Sequence, residues 1–172
     1  MKTLRYAVPL LALLFTGLPA HAADLAPSAE LPPSELQIVT DGNVFAEVSQ
    51  DGNGNDARLG QQGSMLYGRV SQIGSNNQLS ASQSGSFNYI GARQSGESNV
   101  AALAQLGGKN EISLIQQGVS NAAFVTQNGN FNRAQVEQTG NFNRADIQQY
   151  ATASSAVVRQ YGDRNLATVI QY

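Results

Sequence analysis

From Gln50 to the C-terminus, inward-type residues (apolar or amide) alternate with polar and charged ones, and every eleventh residue the alternation is broken by a glycine-bearing corner. Counting in elevens gives Gln50, Gln61, Gln72, Gln83, Gln94, Gln105, Gln116, Gln127, Gln138, Gln149, Gln160 and Gln171 without a slip. Two residues after each of the first eleven stands Gly, except for Ala151. Five residues after stands Asn55, Asn77, Asn88, Asn99, Asn110, Asn121, Asn132, Asn143 or Asn165; Leu66 and Ser154 replace it in two units. Offsets seven and nine are small or aliphatic, as in Ala101 and Leu103 or Ala134 and Val136. Offsets five, seven, nine and eleven form a period of two, which is the signature of a strand with one buried face. An eleven-residue period also fits a right-handed coiled coil. Recurrent Gly and Asn weaken a helix, however, and the apolar spacing is not helical.

Each unit therefore predicts a strand of about six residues and a turn of about five, with Gly supplying the corner conformation. One strand cannot bury its face alone, so the units must stack. Two facing strands close a rung of 22 residues, and alternate units pile into two parallel sheets over a thin core. The fold class is all-β, a parallel cross-β solenoid. Eleven units give five and a half rungs, about 25 Å long at about 4.8 Å per rung.

Two internal checks support this frame. Where offset seven is large (Leu79, Ile90), offset nine shrinks (Ala81, Ala92), as a core at native density demands; only Ile112 with Leu114 is large at both. No charge falls on an inward offset: Asp56, Arg58, Arg69, Arg93, Glu111, Arg133, Glu137, Arg144, Asp146 and Arg159 face out, and Asp51, Glu97, Lys109, Asp163 and Arg164 fall in turns. The inward Gln and Asn predict amide ladders, each side chain donating to one neighbour and accepting from the other. The alternative is that they face solvent at the corners; their parity with the apolar columns favours the ladder.

Composition adds what the pattern leaves open. Charged residues are only 13% and Gly, Gln, Asn and Ser abound, which fits either a disordered tract or a β-stack; the unbroken metre selects the stack. Lys2 and Arg5 precede the apolar run "YAVPLLALLFTGL" and the small-residue site "PAHAA", so residues 1–22 read as a secretory signal peptide. Its loss removes Lys2, Arg5 and His21 and moves the formal charge from −2 to −4. The remaining chain has no His and no Cys. Residues 23–42, with "APSAELPPSE", read as a flexible Pro-containing segment, and residues 43–172 as the solenoid.

These facts disfavour several function classes. Hydrolysis needs a paired carboxylate or an activated nucleophile. Here the acids are scattered, with Asp146 beside Arg144 and Glu111 and Glu137 at different offsets, so the chain is not read as an enzyme. Calcium β-rolls carry Asp in every turn of a nine-residue repeat, whereas Asp51 and Asp163 lie far apart; no metal or cofactor is expected. The outward positions lack the hydroxyl array of an ice-binding face, and the acidic balance argues against nucleic acid. No small-molecule substrate is indicated. One outward patch, Val100 and Ala102 beside Ala122 and Phe124, reads either as a lateral contact or as scattered surface residues.

The ends complete the sequence picture. "NVFAEVSQ" (43–50) is strand-like, with Ala46 and Val48 at the right offsets but Gly42 and Asn43 out of phase. The last strand, Leu166, Ala167, Thr168, Val169, Ile170 and Gln171, has no cap after it in this sequence. An uncapped edge of matching pitch is a template for another chain and predicts a fibre.

The Gln-x-Gly-x-x-Asn-x-Ala unit behind a signal peptide resembles the curlins, the subunits of bacterial curli amyloid. Leu66 in "QQGSMLYGRVSQ" and the degenerate "QYATASSAVVRQ" are similar to features of the minor curlin, the nucleator. The last unit departs from the minor curlin's basic one: Arg159 and Arg164 are offset by Asp163, and the ending Gln171-Tyr172 looks more like a major curlin. The resemblance implies export through the curli secretion channel with its accessory lipoproteins, assembly with itself and the major curlin, and an extracellular fibre at the outer cell surface in biofilm adhesion.

Overall fold

The computed structural model describes residues 5–6 and 43–172. The rest of the expected leader and the Pro-containing segment 23–42 lie outside the described residues. A two-residue strand β1 (Arg5–Tyr6) is followed by β2 (Phe45–Asn53), β3 (Asp56–Ser64), β4 (Tyr67–Ser75), β5 (Gln78–Ser86), β6 (Tyr89–Glu97), β7 (Val100–Gly108), β8 (Glu111–Val119), β9 (Ala122–Asn130), β10 (Arg133–Asn141), β11 (Arg144–Gln149), β12 (Ser155–Tyr161) and β13 (Leu166–Gln171). Even-numbered strands from β2 to β12 form one parallel sheet and odd-numbered strands from β3 to β13 the other. Every pairing among the strands of each sheet joins residues 22 apart, for example Ala134↔Ile112 and Val100↔Ala122. β1 lies antiparallel against the outer edge of β2, with Tyr6↔Val48.

The solenoid and its two parallel sheets are those that the eleven-residue metre predicts, but three details differ. Most strands have nine residues rather than six, and the turns between them have two. The reason is stacking. Identical corners lie over one another, so the Gly positions also pair in register, as Gly96↔Gly118 does, and the ladder runs through the corner. Asp51 and Glu97, expected in turns, accordingly sit in β2 and β6. Finally, β2 joins in register with β4 despite the irregular approach at Gly42 and Asn43, so each sheet has six solenoid strands and the stack six rungs.

The corners carry a second conformational demand. Besides Gly at offset two, the residue at offset four is left-handed throughout: Met65, Ser98, Lys109, Phe131 and Arg164 all have φ between 52° and 60°. A non-glycine residue there gives up about 1–2 kcal/mol. The position varies in residue type, so no sequence signal marked it. What holds it is the rung before: Ser98 N–H donates to the Ser75 carbonyl and Ser120 N–H to the Glu97 carbonyl, both at 2.9 Å. At the corner where Ala151 replaces Gly, Ala153 is still left-handed and donates to the Asn130 carbonyl, and the register of β12 on β10 is kept.

The core is a single file of small and aliphatic side chains, Val70, Leu79, Ile90, Leu103, Ile112, Leu114, Val125, Val136, Ile147 and Val158 among them, with Ala between. Size compensation also operates across the two sheets. A Cβ on buried Gly68 would lie 2.7 Å from Cδ2 of Leu59, which fills the space the glycine leaves. Gly68→Ala should therefore destabilise by about 1–3 kcal/mol through overpacking. Combining it with Leu59→Ala should cost less than the sum of the single changes, a non-additivity that thermal melts followed by circular dichroism will measure.

Candidate functional site

The parity that buries the apolar columns also buries the amides. Gln72, Gln94, Gln116, Gln138 and Gln149 are each 0% exposed, as are Asn77, Asn99 and Asn121. A lone buried amide would be costly; here the neighbouring rungs satisfy it. Gln116 Nε2 donates to Gln138 Oε1 at 2.8 Å, and Gln116 receives the same bond from Gln94. The second Nε2 hydrogen crosses to the opposite sheet and donates to the Val100 carbonyl at 3.1 Å. Each Gln thus ties rung to rung and sheet to sheet. Among the described residues, no buried side-chain nitrogen or oxygen lacks a partner.

The Gln ladder runs one way along the stack, with Nε2 of each rung donating toward the C-terminal end, from Gln50→Gln72 to Gln149→Gln171. The Asn ladder runs the other way. Asn121 Oδ1 accepts from the backbone N–H of Asn143 at 3.0 Å, and Asn121 N–H donates in turn to Asn99 Oδ1. Its Nδ2 clamps the corner of the next rung by donating to the Gly140 carbonyl at 2.8 Å. Asn55, Asn77, Asn88, Asn99, Asn110, Asn132 and Asn143 clamp corners in the same way. At these corners the clamped carbonyl is that of the offset-two glycine, except that Asn132 takes the carbonyl of Ala151, where the clamp holds without glycine. Opposed polarity and corner clamping are not visible in residue spacing alone.

Leu66 occupies an Asn position and is 1% exposed. Its carbonyl receives Phe45 N–H, so the backbone pairing continues where the side-chain clamp is lost. It lines a shallow notch with Asn43, Val44, Phe45, Met65 and Tyr67. Phe45, Tyr67 and Tyr89 stack on the outer face, with ring centroids 4.7 and 5.3 Å apart. Three ion pairs run along the same sheet, Arg69–Glu47, Arg133–Glu111 and Arg159–Glu137, at 3.4 to 3.6 Å. All are open to solvent on the arginine side and half-buried on the glutamate side, and each contributes little. Among the described residues, no three His, Cys, Asp or Glu side chains gather as a metal site.

The two ends present the ladders in complementary form. At the C-terminal end, Gln160 and Gln171 each donate one Nε2 hydrogen to a backbone carbonyl, those of Arg144 and Ser155, and the second points along the stack axis. Beside them, Asn165 carries the last Oδ1 of its column. At the N-terminal end, Gln50 and Gln61 carry the first Oε1 and Asn55 the first N–H. Leu166, Thr168 and Ile170 of β13 face out while Ala167, Val169 and Gln171 face the other sheet; Leu166 is 73% exposed and Tyr172 90%. The sequence model described as the curlin-associated repeat matches residues 52–85, 85–118, 110–140, 118–150 and 140–172. A search of curated proteins gives no match.

Proposed function

The chain belongs to the curlin family, and on that premise we propose that it is a secreted fibre subunit that assembles by strand addition at the open ends of its stack and nucleates fibre growth by a major curlin. The observation that carries this reading is the match between the ends. Extending the 22-residue register past the C-terminus sets β2 of a second copy on β12 and β3 on β13. Ala156 then meets Ala46, Val158 meets Val48, Gln160 meets Gln50, Asn165 meets Asn55, Ala167 meets Ala57, and Gln171 meets Gln61. Donors face acceptors in both ladders, and no charge enters the core. A copy added in the opposite sense would face donor with donor. The stack is therefore polar and its partner is another curlin-repeat chain.

The nucleator assignment rests on Leu66 and on the degenerate corner at residues 150–154. A second reading, a major fibre subunit, is favoured by the last unit, where Asp163 offsets Arg159 and Arg164. On either reading the leader is removed and the chain passes through the curli secretion channel, served by its accessory lipoproteins, to the outer cell surface. Removing residues 1–22 would also take away β1 and open the edge of β2.

Seeding separates the two. Residues 23–172, added at sub-stoichiometric amounts to a soluble major curlin, should shorten the thioflavin lag phase several-fold. An unchanged lag with fibre formation by the protein alone would leave the major-subunit reading; no fibres in either case would sink both.

A further inference from the structure

The outer faces of the two sheets are unlike. In the even-numbered sheet every solenoid strand presents at least one outward charge: Glu47 and Asp51, Arg69, Arg93, Glu111, Arg133 with Glu137, and Arg159. In the other sheet, three adjacent strands present none. β5 shows Gln78, Ser80, Ser82 and Ser84; β7 shows Val100, Ala102, Ala104 and Leu106; β9 shows Ala122, Phe124, Thr126 and Asn128. Register places Val100 beside Ala122, Ala102 beside Phe124 and Ala104 beside Thr126. Beyond this field, the Arg144 guanidinium lies 4.7 Å from the Phe124 ring centroid and marks its border.

We propose that this uncharged face of β5, β7 and β9 is the lateral contact between fibres, docking on the same face of a second copy in a neighbouring stack. The inference rests on the fibre reading above. Mostly small side chains, with Val100, Leu106 and Phe124 the larger ones, let two sheets approach to about 10 Å, the spacing of packed sheets, and apart from the Arg144 guanidinium at the border these strands carry no charge to desolvate. Size identifies the occupant. Three strands about 4.8 Å apart, crossed by some 20 Å of chain, give about 300 Å². A stable isolated partner needs about 800 Å² per side, so two single subunits will not hold together through this face. In a fibre it recurs every six rungs, about 29 Å. Only a partner with the same rise engages successive copies at once, and linked weak contacts then add by avidity. Lateral association should therefore follow polymerisation and not precede it.

The test uses residues 23–172 with Ala102→Glu and Thr126→Glu, both outward and outside the ladders, against a control with Ser71→Glu and Ser113→Glu on the opposite sheet. Thioflavin kinetics report fibre growth, and electron microscopy reports the fraction of fibre length lying in bundles. The face variant should polymerise within two-fold of the wild-type rate but show at least a ten-fold smaller bundled fraction, with the control unchanged. Fibres of an Ala102→Lys, Thr126→Lys variant should also stay single, and mixing them with the Glu fibres at low salt should restore bundles. Undiminished bundling in the face variant, equal loss in the control, or no rescue on mixing would overturn the proposal. Wild-type protein that forms no fibres would overturn the fibre reading itself, a distinct result seen in the thioflavin trace.

Discussion

Gly118→Ala should prevent the stack from forming. Gly118 has φ 121°, and an added methyl would fall far inside van der Waals contact distance of the Gly140 carbonyl oxygen one rung away. That oxygen is backbone, and the Asn121 amide also binds it, so neither partner can move without breaking the clamp. Conformational strain alone costs of order 1–3 kcal/mol. With the collision and the lost clamp, a total of about 4 kcal/mol or more is expected, in the range reserved for severe substitutions. Far-ultraviolet circular dichroism should show no cooperative β melt, and thioflavin no growth. Gly60→Ala is the control: Gly60 lies outside the left-handed region and nothing approaches its Cβ position more closely than the Ala81 carbonyl at 4.0 Å. Its effect should stay within about 0.5 kcal/mol.

Gln116→Leu should be nearly as damaging while preserving shape. Leucine keeps most of the volume and removes the whole polar group. Gln94 Nε2 loses its acceptor, and Gln138 Oε1 and the Val100 carbonyl lose their donor, all in a buried interior. Each unsatisfied group costs about 1–3 kcal/mol, so the melting temperature should fall by well over 10 °C at the usual scaling of a few degrees per kcal/mol. Exchanging two successive rungs, Gln116→Leu with Gln138→Leu, should cost less than the sum, because the bond between them is removed from both sides at once. An additive result would mean the amides act singly rather than as a ladder.

The solenoid was legible because its physical cause is periodic. An inward position recurs at the same offset in every unit, so the sequence repeats the requirement often enough to read it: Gln at offset eleven, aliphatics at nine, Gly at two. What repeats only in the backbone was not legible. Offset four is left-handed whether it holds Ser98, Lys109 or Phe131, because the rung beneath imposes it and the side chain points to solvent. Strand length was misjudged for the same reason, since Gly signals a turn in one chain but pairs with its own image in a stack. The polarity of the ladders is set by which end of each amide meets the next rung, a matter of rotamer and not of residue type. Leu66 stood out only as a break in the Asn column; its burial beside Phe45 and Met65 depends on β2 completing the sixth rung.

The most direct test of a polar, end-to-end assembly is cross-linking across the joint. The outward column Ser49, Ser71, Arg93, Ile115, Glu137, Arg159 runs the length of one sheet. Ser49 and Arg159 therefore stand at opposite ends, too far apart within one molecule to bond. In the head-to-tail joint they become neighbours at about 4.8 Å, within the reach of a disulfide. The chain has no cysteine of its own. Fibres of residues 23–172 carrying both Ser49→Cys and Arg159→Cys, oxidised and run under denaturing conditions without reductant, should give a ladder of many covalent multimers, while either single variant gives monomer. A single variant that yields dimers, or a double variant that stays monomeric in intact fibres, would contradict the account.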